Sequence, residues 1–306
     1  MRICSLLPSG TEILYAVGLG ESVVGVSHEC DYPPDALNKP KVLRSRIDPE
    51  QLTSEEIDQA VRRSLEHGES LYEIDEETLR RAQPDLIITQ TLCEVCAIGT
   101  SQVSEAVRHL SSPPRVLSLH PHTLEEALED IRLVGEATGR QREADRLARA
   151  CRERISRVQT LVAHAPRPRV VCMEWLSPPM CGGHWVPEQV ALAGGEEVVG
   201  QAGRPSRYVT ADELVAARPD VVCVMPCGFP IERTRRELPL LTTQSWWKVL
   251  PAVHSGRVYL VNGPAYFNRS GPRLVDGIEL LAGLLHPDLC EGLMPYGGVQ
   301  PVERLV

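Results

Sequence analysis

Short apolar runs alternate with amphipathic stretches along most of the chain, and this pattern predicts an α/β protein. The apolar runs have the length of strands, and the stretches between them repeat apolar residues three or four positions apart, as helices packed on a sheet do. In the first part of the chain the predicted strands are Ile3–Leu7, Val23–Val26, Leu86–Thr89 and Val116–Leu119. We therefore expect a first α/β lobe over residues 1–120.

One sequence pattern occurs twice. Leu79–Ile88 and Leu214–Cys223 each predict the end of a helix, a Pro-Asp turn and a buried strand. Two further segments, Arg2–Cys4 and Gly20–Gly25, have similar counterparts in Val170–Cys172 and Gly195–Gly200. The repetition predicts two similar lobes, each a parallel sheet with flanking helices, that face a ligand cleft between them. In such lobes, ligands lie at the carboxyl ends of the strands.

Helices are predicted between the two lobes. Thr123 and Glu126 have the spacing of a capping box, and residues 141 to about 162 keep helical periodicity throughout. At 1.5 Å per residue the second helix would span about 30 Å, which makes it a stiff connection. The predicted domains are an N-terminal lobe (1–120), linking helices (121–166) and a C-terminal lobe (167–306).

Composition and charge restrict the possible partners. The chain has 306 residues, of which 42% are hydrophobic, and a net charge of −9, which argues against nucleic acid and anionic membranes as partners. No apolar run is long enough to cross a bilayer, so we expect no membrane insertion. Because a predicted strand begins at Ile3, we expect no export leader and a cytoplasmic location.

The chain contains ten cysteines, and four of them follow predicted strands into loops, namely Cys30, Cys93, Cys96 and Cys227. Four thiolates that converge would suit zinc or an iron–sulfur cluster. Two other interpretations stay open: these are buried thiols that pack loop bases, or Cys93 and Cys96 form a redox dithiol. Cys4, Cys151, Cys172 and Cys223 are expected to be small core residues.

Other loop side chains could contact a large planar ligand. His28 and His184 are the histidines best placed to bind a metal or the metal of a ligand, whereas His120 and His122 flank Pro121 and are interpreted as structural. Aromatic faces suit a flat ligand, and a helix that begins at Ser9, capped by its hydroxyl and Glu12, favours negative charge. The complete predicted set of ligand contacts is Ser9, His28, Trp175, His184, Trp185, Phe229, Tyr266, Phe267 and Arg269.

Several motifs resemble the helical-backbone class of substrate-binding proteins, which receive cobalamin, siderophores, haem or metal ions for ABC importers. They include Cys4–Glu12, Leu19–Val26, Ser27–Pro33, Gly183–Glu188, Pro226–Phe229 and Tyr266–Arg273. Within that class, the chain is similar to a subgroup labelled cobalamin-binding proteins. The resemblance implies a ligand-binding protein, rather than an enzyme, that holds cobalamin or another corrinoid. It also implies an ABC permease or a corrinoid-handling protein as partner.

A second hypothesis is a metallocluster protein, an enzyme or electron carrier in which the four loop cysteines hold the metal. The colour of the purified protein separates the two hypotheses. A corrinoid gives a red protein with sharp visible bands, whereas a cluster is brown and bleaches with dithionite.

Overall fold

The computed structural model describes residues 1–90, 100–108, 110, 112–290 and 292–302. Its chain divides into two compact units. Unit 1 comprises Met1–Leu52, Gln59–Pro121 and Glu125–Ala150, and unit 2 comprises Thr53–Asp58, His122–Leu124 and Cys151–Val306. The domain limits predicted at residues 120 and 166 stay a prediction.

Helices and strands alternate in the first half of the chain. In order they are β1 (Ile3–Ser5), α1 (Pro8–Ala16), β2 (Val23–Ser27), β3 (Lys41–Ser45), α2 (Ser54–His67), β4 (Tyr72–Ile74), α3 (Glu76–Ala82), β5 (Leu86–Gln90), α4 (Thr100–Val107), β6 (Arg115–Leu119), α5 (Leu124–Thr138) and α6 (Gln141–Val162). Short 3-10 helices lie at Gly20–Ser22, Pro34–Asn38 and Pro49–Gln51.

The sheet of unit 1 has the strand order β4-β3-β2-β1-β5-β6. All of these pairs are parallel except β3 with β4. Parallel neighbours need a crossover, and helices such as α1 provide it. Both faces of the sheet are covered, since Leu86, Ile87 and Ile88 of β5 are at most 1% exposed. This double burial explains why β5 has a continuous apolar run in the sequence.

The second half of the chain continues the alternation with shorter elements. They are β7 (Arg169–Leu176), β8 (Pro179–Cys181), α7 (Val186–Leu192), β9 (Glu196–Glu197), β10 (Arg207–Tyr208), α8 (Ala211–Ala217), β11 (Val221–Val224), α9 (Ile231–Glu237), α10 (Pro239–Thr242), α11 (Pro251–Ser255), β12 (Val258–Val261), α12 (Gly263–Tyr266), α13 (Leu274–Leu285) and β13 (Val299–Pro301). A 3-10 helix lies at Trp247–Val249.

The sheet of unit 2 is mixed. Its strand order is β10-β8-β7-β11-β12-β13, and β9 also pairs with β7. The pairs of β7 with β9, β7 with β11 and β11 with β12 are parallel. The outer strands β8, β10 and β13 run antiparallel to their neighbours. Two α/β units with largely parallel central strands agree with the predicted fold class.

The repeated Pro-Asp pattern has the same structure in both units. In unit 1, the Arg2 backbone N–H donates to Asp85 Oδ2 over 2.7 Å, and the Arg2 guanidinium donates to the Ala82 carbonyl. In unit 2, the Arg169 N–H donates to Asp220 Oδ2 over 2.8 Å. The Arg169 guanidinium likewise donates to the carbonyl oxygen of Ala217. The duplication predicted from the sequence is therefore present in the fold.

The predicted alignment of β1 with β7 is wrong by one residue. The sequence comparison placed Arg2 opposite Val170. The strand register instead pairs Ile3 with Leu86 and Val170 with Val221, so Arg2 corresponds to Arg169. The carboxylate of the Pro-Asp turn fixes this register because it accepts a bond from the arginine backbone. Consequently, Cys4 and Cys172 are not equivalent positions.

The long helix predicted from residue 141 is α6, which spans Gln141–Val162. The boundary between the two units falls inside it, between Ala150 and Cys151. Its buried positions keep helical spacing and include Ala144, Ala148, Cys151, Ile155 and Val158. At 1.5 Å rise per residue the helix is about 33 Å long.

Candidate functional site

Unit 1 brings three predicted site residues to loops that follow β1 and β2. Ser9 lies 3% exposed in the first turn of α1, while His28 and Cys30 follow β2. The prediction that Ser9 caps this helix is wrong. The helix begins at Pro8 and its N-cap residue is Leu7, which provides no side-chain cap. Proline at the first helical position displaces the start, because its fixed φ suits that position and it needs no N–H partner there.

His28 is held by its backbone and by one aromatic neighbour. Its N–H donates to the Leu43 carbonyl over 3.0 Å, and its ring centroid lies 5.6 Å from that of Tyr72. Its Nδ1 atom is buried and has no hydrogen-bond partner. Burial lowers the pKa of His28, although the nearby Glu29 carboxylate partly opposes this shift. A neutral imidazole with an unused nitrogen can act as a ligand or an acceptor.

Cys30 is fully buried, and hydroxyl groups surround its sulfur. Thr11 Oγ1 lies 3.1 Å from Cys30 Sγ, and Ser27 Oγ lies 3.2 Å from it. The Lys41 ammonium donates to the Cys30 carbonyl over 3.2 Å. Cys93 and Cys96 lie outside the described residues, so the four-cysteine site stays a prediction. Within the described ranges, no group of three or more His, Cys, Asp or Glu side chains has the geometry to hold a metal ion.

In unit 2, the half-buried carboxyl group of Glu174 lies in the second half of β7. Glu174 Oε1 accepts a bond from Asn268 Nδ2 over 3.1 Å, and Glu174 Oε2 accepts one from the Ser206 hydroxyl. Burial raises the pKa of Glu174, although these hydrogen bonds and one from the Gly183 backbone oppose the shift. The Cys227 backbone N–H donates to the Glu174 carbonyl over 3.1 Å. This network therefore joins β7 to the loops that follow β9, β11 and α12.

An aromatic and cationic stack, in which the two aromatic rings are tilted by 53°, includes Trp175, the residue after Glu174. The centroids of Trp175 and Phe229 are 5.1 Å apart, and the Arg233 guanidinium lies 4.7 Å from the centroid of Phe229. Arg233 also pairs with Glu237 within α9, and both side chains are about nine-tenths buried, being 8% and 11% exposed. A partly desolvated guanidinium over an aromatic face is attracted by the ring quadrupole. The stack fixes the orientation of Trp175, whose side chain is only partly buried.

The indole of Trp175 also holds the start of α2, which belongs to unit 2. Trp175 Nε1 donates to the Ser54 carbonyl over 3.1 Å, and the Ser54 N–H donates to Glu237 Oε2 over 2.8 Å. Nearby, the Tyr208 hydroxyl donates to the Asp58 carboxylate. These contacts fix residues 53–58 against the rest of unit 2.

The other predicted aromatic contacts are deeply packed. Trp185, Phe229 and Phe267 are 5%, 4% and 0% exposed. Trp185 Nε1 donates to the Phe267 carbonyl over 2.7 Å, so the pair braces the loop before α7. Tyr266 and Arg269 are half-buried near the end of α12. Burial favours a packing role for Phe267 and Trp185, and their ligand contact stays a prediction.

His184 has an unusual backbone. Its φ is +50°, in the left-handed region that residues other than glycine rarely adopt. Its ring lies 5.8 Å from that of His122 and 5.7 Å from that of Trp185, measured between centroids. The buried Nδ1 atom of His184 has no hydrogen-bond partner. Burial lowers the pKa of His184, and the charge of His122 lowers it further.

Known proteins resemble this chain in both sequence and fold. The family model of periplasmic binding proteins matches residues 3–265. The chain belongs to the periplasmic binding protein family. Among its relatives, a vitamin B12-binding protein of Vibrio cholerae is 24% identical over 280 residues, which cover 91% of this chain and 86% of that protein. An ABC transporter substrate-binding lipoprotein of Bacillus subtilis is 25% identical over 296 residues, covering 94% of this chain and 80% of that protein.

Solved structures of this family share the fold. A periplasmic haem-binding protein from Pseudomonas aeruginosa matches with a TM-score of 0.72 at 18% identity and covers 94% of this chain and 93% of that chain. The periplasmic vitamin B12-binding protein of Vibrio cholerae matches with a TM-score of 0.66 at 24% identity, over 93% of this chain and 96% of that chain. The resemblance to helical-backbone substrate-binding proteins, and to those named for vitamin B12, is confirmed. So is the predicted fold class.

The predicted cytoplasmic location is wrong. Members of this family are periplasmic binding proteins, and the Bacillus subtilis relative is a lipoprotein. The prediction rested on the residues before Ile3. The strands and helices of a folded domain do not determine the compartment in which the protein is located. Among the described residues, no helix is both long and apolar enough to span a membrane.

Sequence reasoning missed most of the polar network in unit 2. The Ser206 hydroxyl and the Asn268 amide were not predicted as partners of Glu174, because they lie 32 and 94 residues away along the chain. It also interpreted His122 as structural, although its ring lies beside that of His184. Asn268 lies in the Tyr266–Arg273 motif, and this was the sequence feature that could have identified it as part of the site.

Proposed function

We propose that this protein is the substrate-binding component of an ABC-type importer and that its ligand is a corrinoid or a related metal tetrapyrrole. The observation that carries the proposal is the contact with Phe229 of Trp175, which directly follows the hydrogen-bonded Glu174 along β7. A large planar ligand needs an aromatic face for its ring and polar groups for the amides or carboxylates at its edge. The names of the relatives, which refer to vitamin B12 and haem, support this ligand class.

Glu174 and Asn268 supply different chemistry at the edge of a ligand. The Asn268 amide binds Glu174 through its nitrogen, and its Oδ1 atom is buried without a hydrogen-bond partner. Because burial raises the pKa of Glu174, the fraction of the neutral acid at a given pH is larger than for an exposed glutamate. Neutral acids and amides suit the amide side chains of a corrin better than a fixed negative charge does.

The metallocluster hypothesis finds no support among the described residues. Cys30 is enclosed by Thr11 and Ser27, and its remaining predicted co-ligands in unit 1, Cys93 and Cys96, lie outside those residues. Metal analysis of anaerobically purified protein tests it directly. Iron with sulfide, or stoichiometric zinc, would favour that hypothesis over the proposal.

The proposal is tested by titrating the purified protein with cyanocobalamin and with haemin, following tryptophan fluorescence and calorimetric heat. We expect micromolar or tighter binding of at least one of them. Trp175→Ala should weaken it by about tenfold or more, which corresponds to about 1.4 kcal/mol. The matched control is Trp246→Ala, because Trp246 is half-buried against Trp247 in the same unit.

Two results would contradict the proposal. One is that neither tetrapyrrole binds below about 100 μM, a binding free energy weaker than about −5.5 kcal/mol. The other is that Trp175→Ala and Trp246→Ala bind the ligand equally well. The transporter role is tested separately by cross-linking the loaded protein to the ABC permease of the same cell.

A further inference from the structure

Two histidines of unit 2 lie side by side although they are far apart in the sequence. The ring centroids of His122 and His184 are 5.8 Å apart, and their planes are inclined by 35°. An ion bound to an imidazole lies about 2.0 Å from the ring nitrogen, so two rings that share one ion have centroids about 5–6 Å apart. The observed separation fits such a pair.

His184 has an unused nitrogen directed away from solvent. Its Nδ1 atom is buried and makes no hydrogen bond. A buried polar atom without a partner destabilises the folded state, so native structures rarely retain one without a reason. A metal ion that takes the lone pair of this nitrogen would offset that cost.

The backbone holds His184 in a strained but fixed position. The φ of +50° is energetically unfavourable for a residue with a side chain. Hydrogen bonds fix it on both sides: its N–H donates to the Arg204 carbonyl over 2.6 Å, and its carbonyl accepts from the Gly203 N–H over 2.9 Å. Strain that is held in this way is typical of functional positions.

The segment that carries His122 is fixed as well. The Leu124 N–H, two residues later, donates to Glu188 Oε2 of α7 over 2.8 Å. A Cβ atom at Gly203 would lie 3.7 Å from the Thr123 methyl group, so the loop that holds His184 also contacts the residue after His122. Ligands on fixed backbone are the requirement for a preorganised metal site.

We propose that His122 and His184 together bind a first-row divalent transition metal ion that prefers imidazole nitrogen. The pair provides two ligands, and in the part of the chain that the structure describes no third His, Cys, Asp or Glu completes a larger group. The ion therefore keeps open positions for water or for a donor atom of a bound molecule. Copper(II) is the strongest probe because it heads the affinity order of these ions. This proposal does not depend on tetrapyrrole binding.

The test uses untagged protein, copper(II) as the probe and electron paramagnetic resonance of the first equivalent bound. We expect a site with one copper and two nitrogen ligands. His122→Gln and His184→Asn should each weaken binding by about tenfold or more and leave one nitrogen in the spectrum. Asparagine is chosen at position 184 because it tolerates positive φ better than most residues.

His67→Gln is the matched control, since His67 is a solvent-exposed histidine at the end of α2, in unit 1. It should leave the copper affinity and the spectrum unchanged. The proposal is overturned if the wild type shows no two-nitrogen copper site, or if both unit 2 variants leave that site unchanged. Thermal unfolding without metal shows whether the variants fold. If His184→Asn fails, His184→Gly replaces it, because glycine adopts this φ without strain.

Discussion

The two Pro-Asp repeats are nearly identical at one end of their strands and differ at the other. At the amino end, Arg2 with Asp85 and Arg169 with Asp220 make the same backbone contacts over 2.7 and 2.8 Å. Beyond the strands the repeats diverge. In unit 1, β2 is followed along the chain by the strands β3 and β4. In unit 2, the corresponding strand β9 is only two residues long, and a long loop follows it.

One part of the repeat, the Arg–Asp contacts, determines the fold. The other part, the loops after the strands, is available for ligand binding. The Arg–Asp contacts set the strand register and recur because both sheets need it. The loops after the strands are free to change, and binding residues accumulate there. Glu174 and its partners belong to unit 2, where the polar network joins β7 to three loops.

The largest expected effect comes from a matched pair of glycines, Gly25 and Gly200. A Cβ atom at Gly200 would lie 2.3 Å from the Gly182 carbonyl oxygen, whereas one at Gly25 would meet side-chain atoms of Val42 and Cys4 at 2.7 and 2.9 Å. The side chains of Val42 and Cys4 can adjust to an added methyl group more easily than the backbone of Gly182 can. Gly200→Ala should lower the free energy of unfolding by more than about 3 kcal/mol, and Gly25→Ala by about 1–2 kcal/mol.

Urea unfolding followed by circular dichroism measures both variants. Equal losses would show that the loop after β9 adjusts as easily as the side chains of unit 1, and the contrast between the repeats would then be smaller than the structure implies.

The next effect depends on pH and concerns Glu197, for which unit 1 has Ser22 at the aligned position. Burial raises the pKa of Glu197 to about 7 from 4.5, although the N–H groups of Gly200, Val199 and Cys172 oppose the shift. The folded state thus binds more protons than the unfolded state between these values. Stability contributed by the protonated group is complete below about pH 4.5 and is lost as the pH rises through about 7.

Glu197→Gln removes this titration. The wild type should lose about 2–3 kcal/mol of unfolding free energy relative to this variant between pH 4.5 and 8. Glu196→Gln is the control, since it removes a carboxylate from the exposed neighbour of Glu197. A constant difference between wild type and Glu197→Gln across this range would show that the buried carboxyl does not titrate there.

A smaller and equal effect is expected at the shared end of the repeats. Asp85→Ala and Asp220→Ala each remove a carboxylate that accepts a backbone N–H, at positions exposed to solvent. We expect losses of about 1–2 kcal/mol, the same in both units within about 0.5 kcal/mol. Thermal unfolding measures them, and a clear inequality would argue that the repeats are not equivalent.

The smallest effect is a gain. Gln83 and Arg218 end α3 and α8 with φ values of 42° and 45°, where glycine is usual. Gln83→Gly and Arg218→Gly should each stabilise the protein by about 0.5 kcal/mol, because the strain of the left-handed conformation is lost. Destabilisation by either change would mean that the side chain contributes more than the strain costs.

The sequence predicted regular features well and long-range contacts poorly. Helix α6 and both Pro-Asp strands follow from local periodicity and turn chemistry, so their positions were accessible. The start of α1 was misplaced at Ser9 because the effect of Pro8 competes with that of a serine cap. The partners of Glu174 and the approach of His122 to His184 depend on tertiary packing, which no periodicity encodes.

Burial of the thiols has a consequence for oxidation chemistry. Desolvation raises the pKa of Cys4 to about 12 and that of Cys151 to about 11, and it also raises those of Cys181 and Cys290. Thiolates are the reactive form in disulfide exchange, so these sulfurs react slowly once the chain is folded. Among the described cysteines, Cys227 alone is not classed as buried. In an oxidising compartment the thiols are therefore vulnerable during folding, and in the folded protein Cys227 is the most accessible of the described thiols.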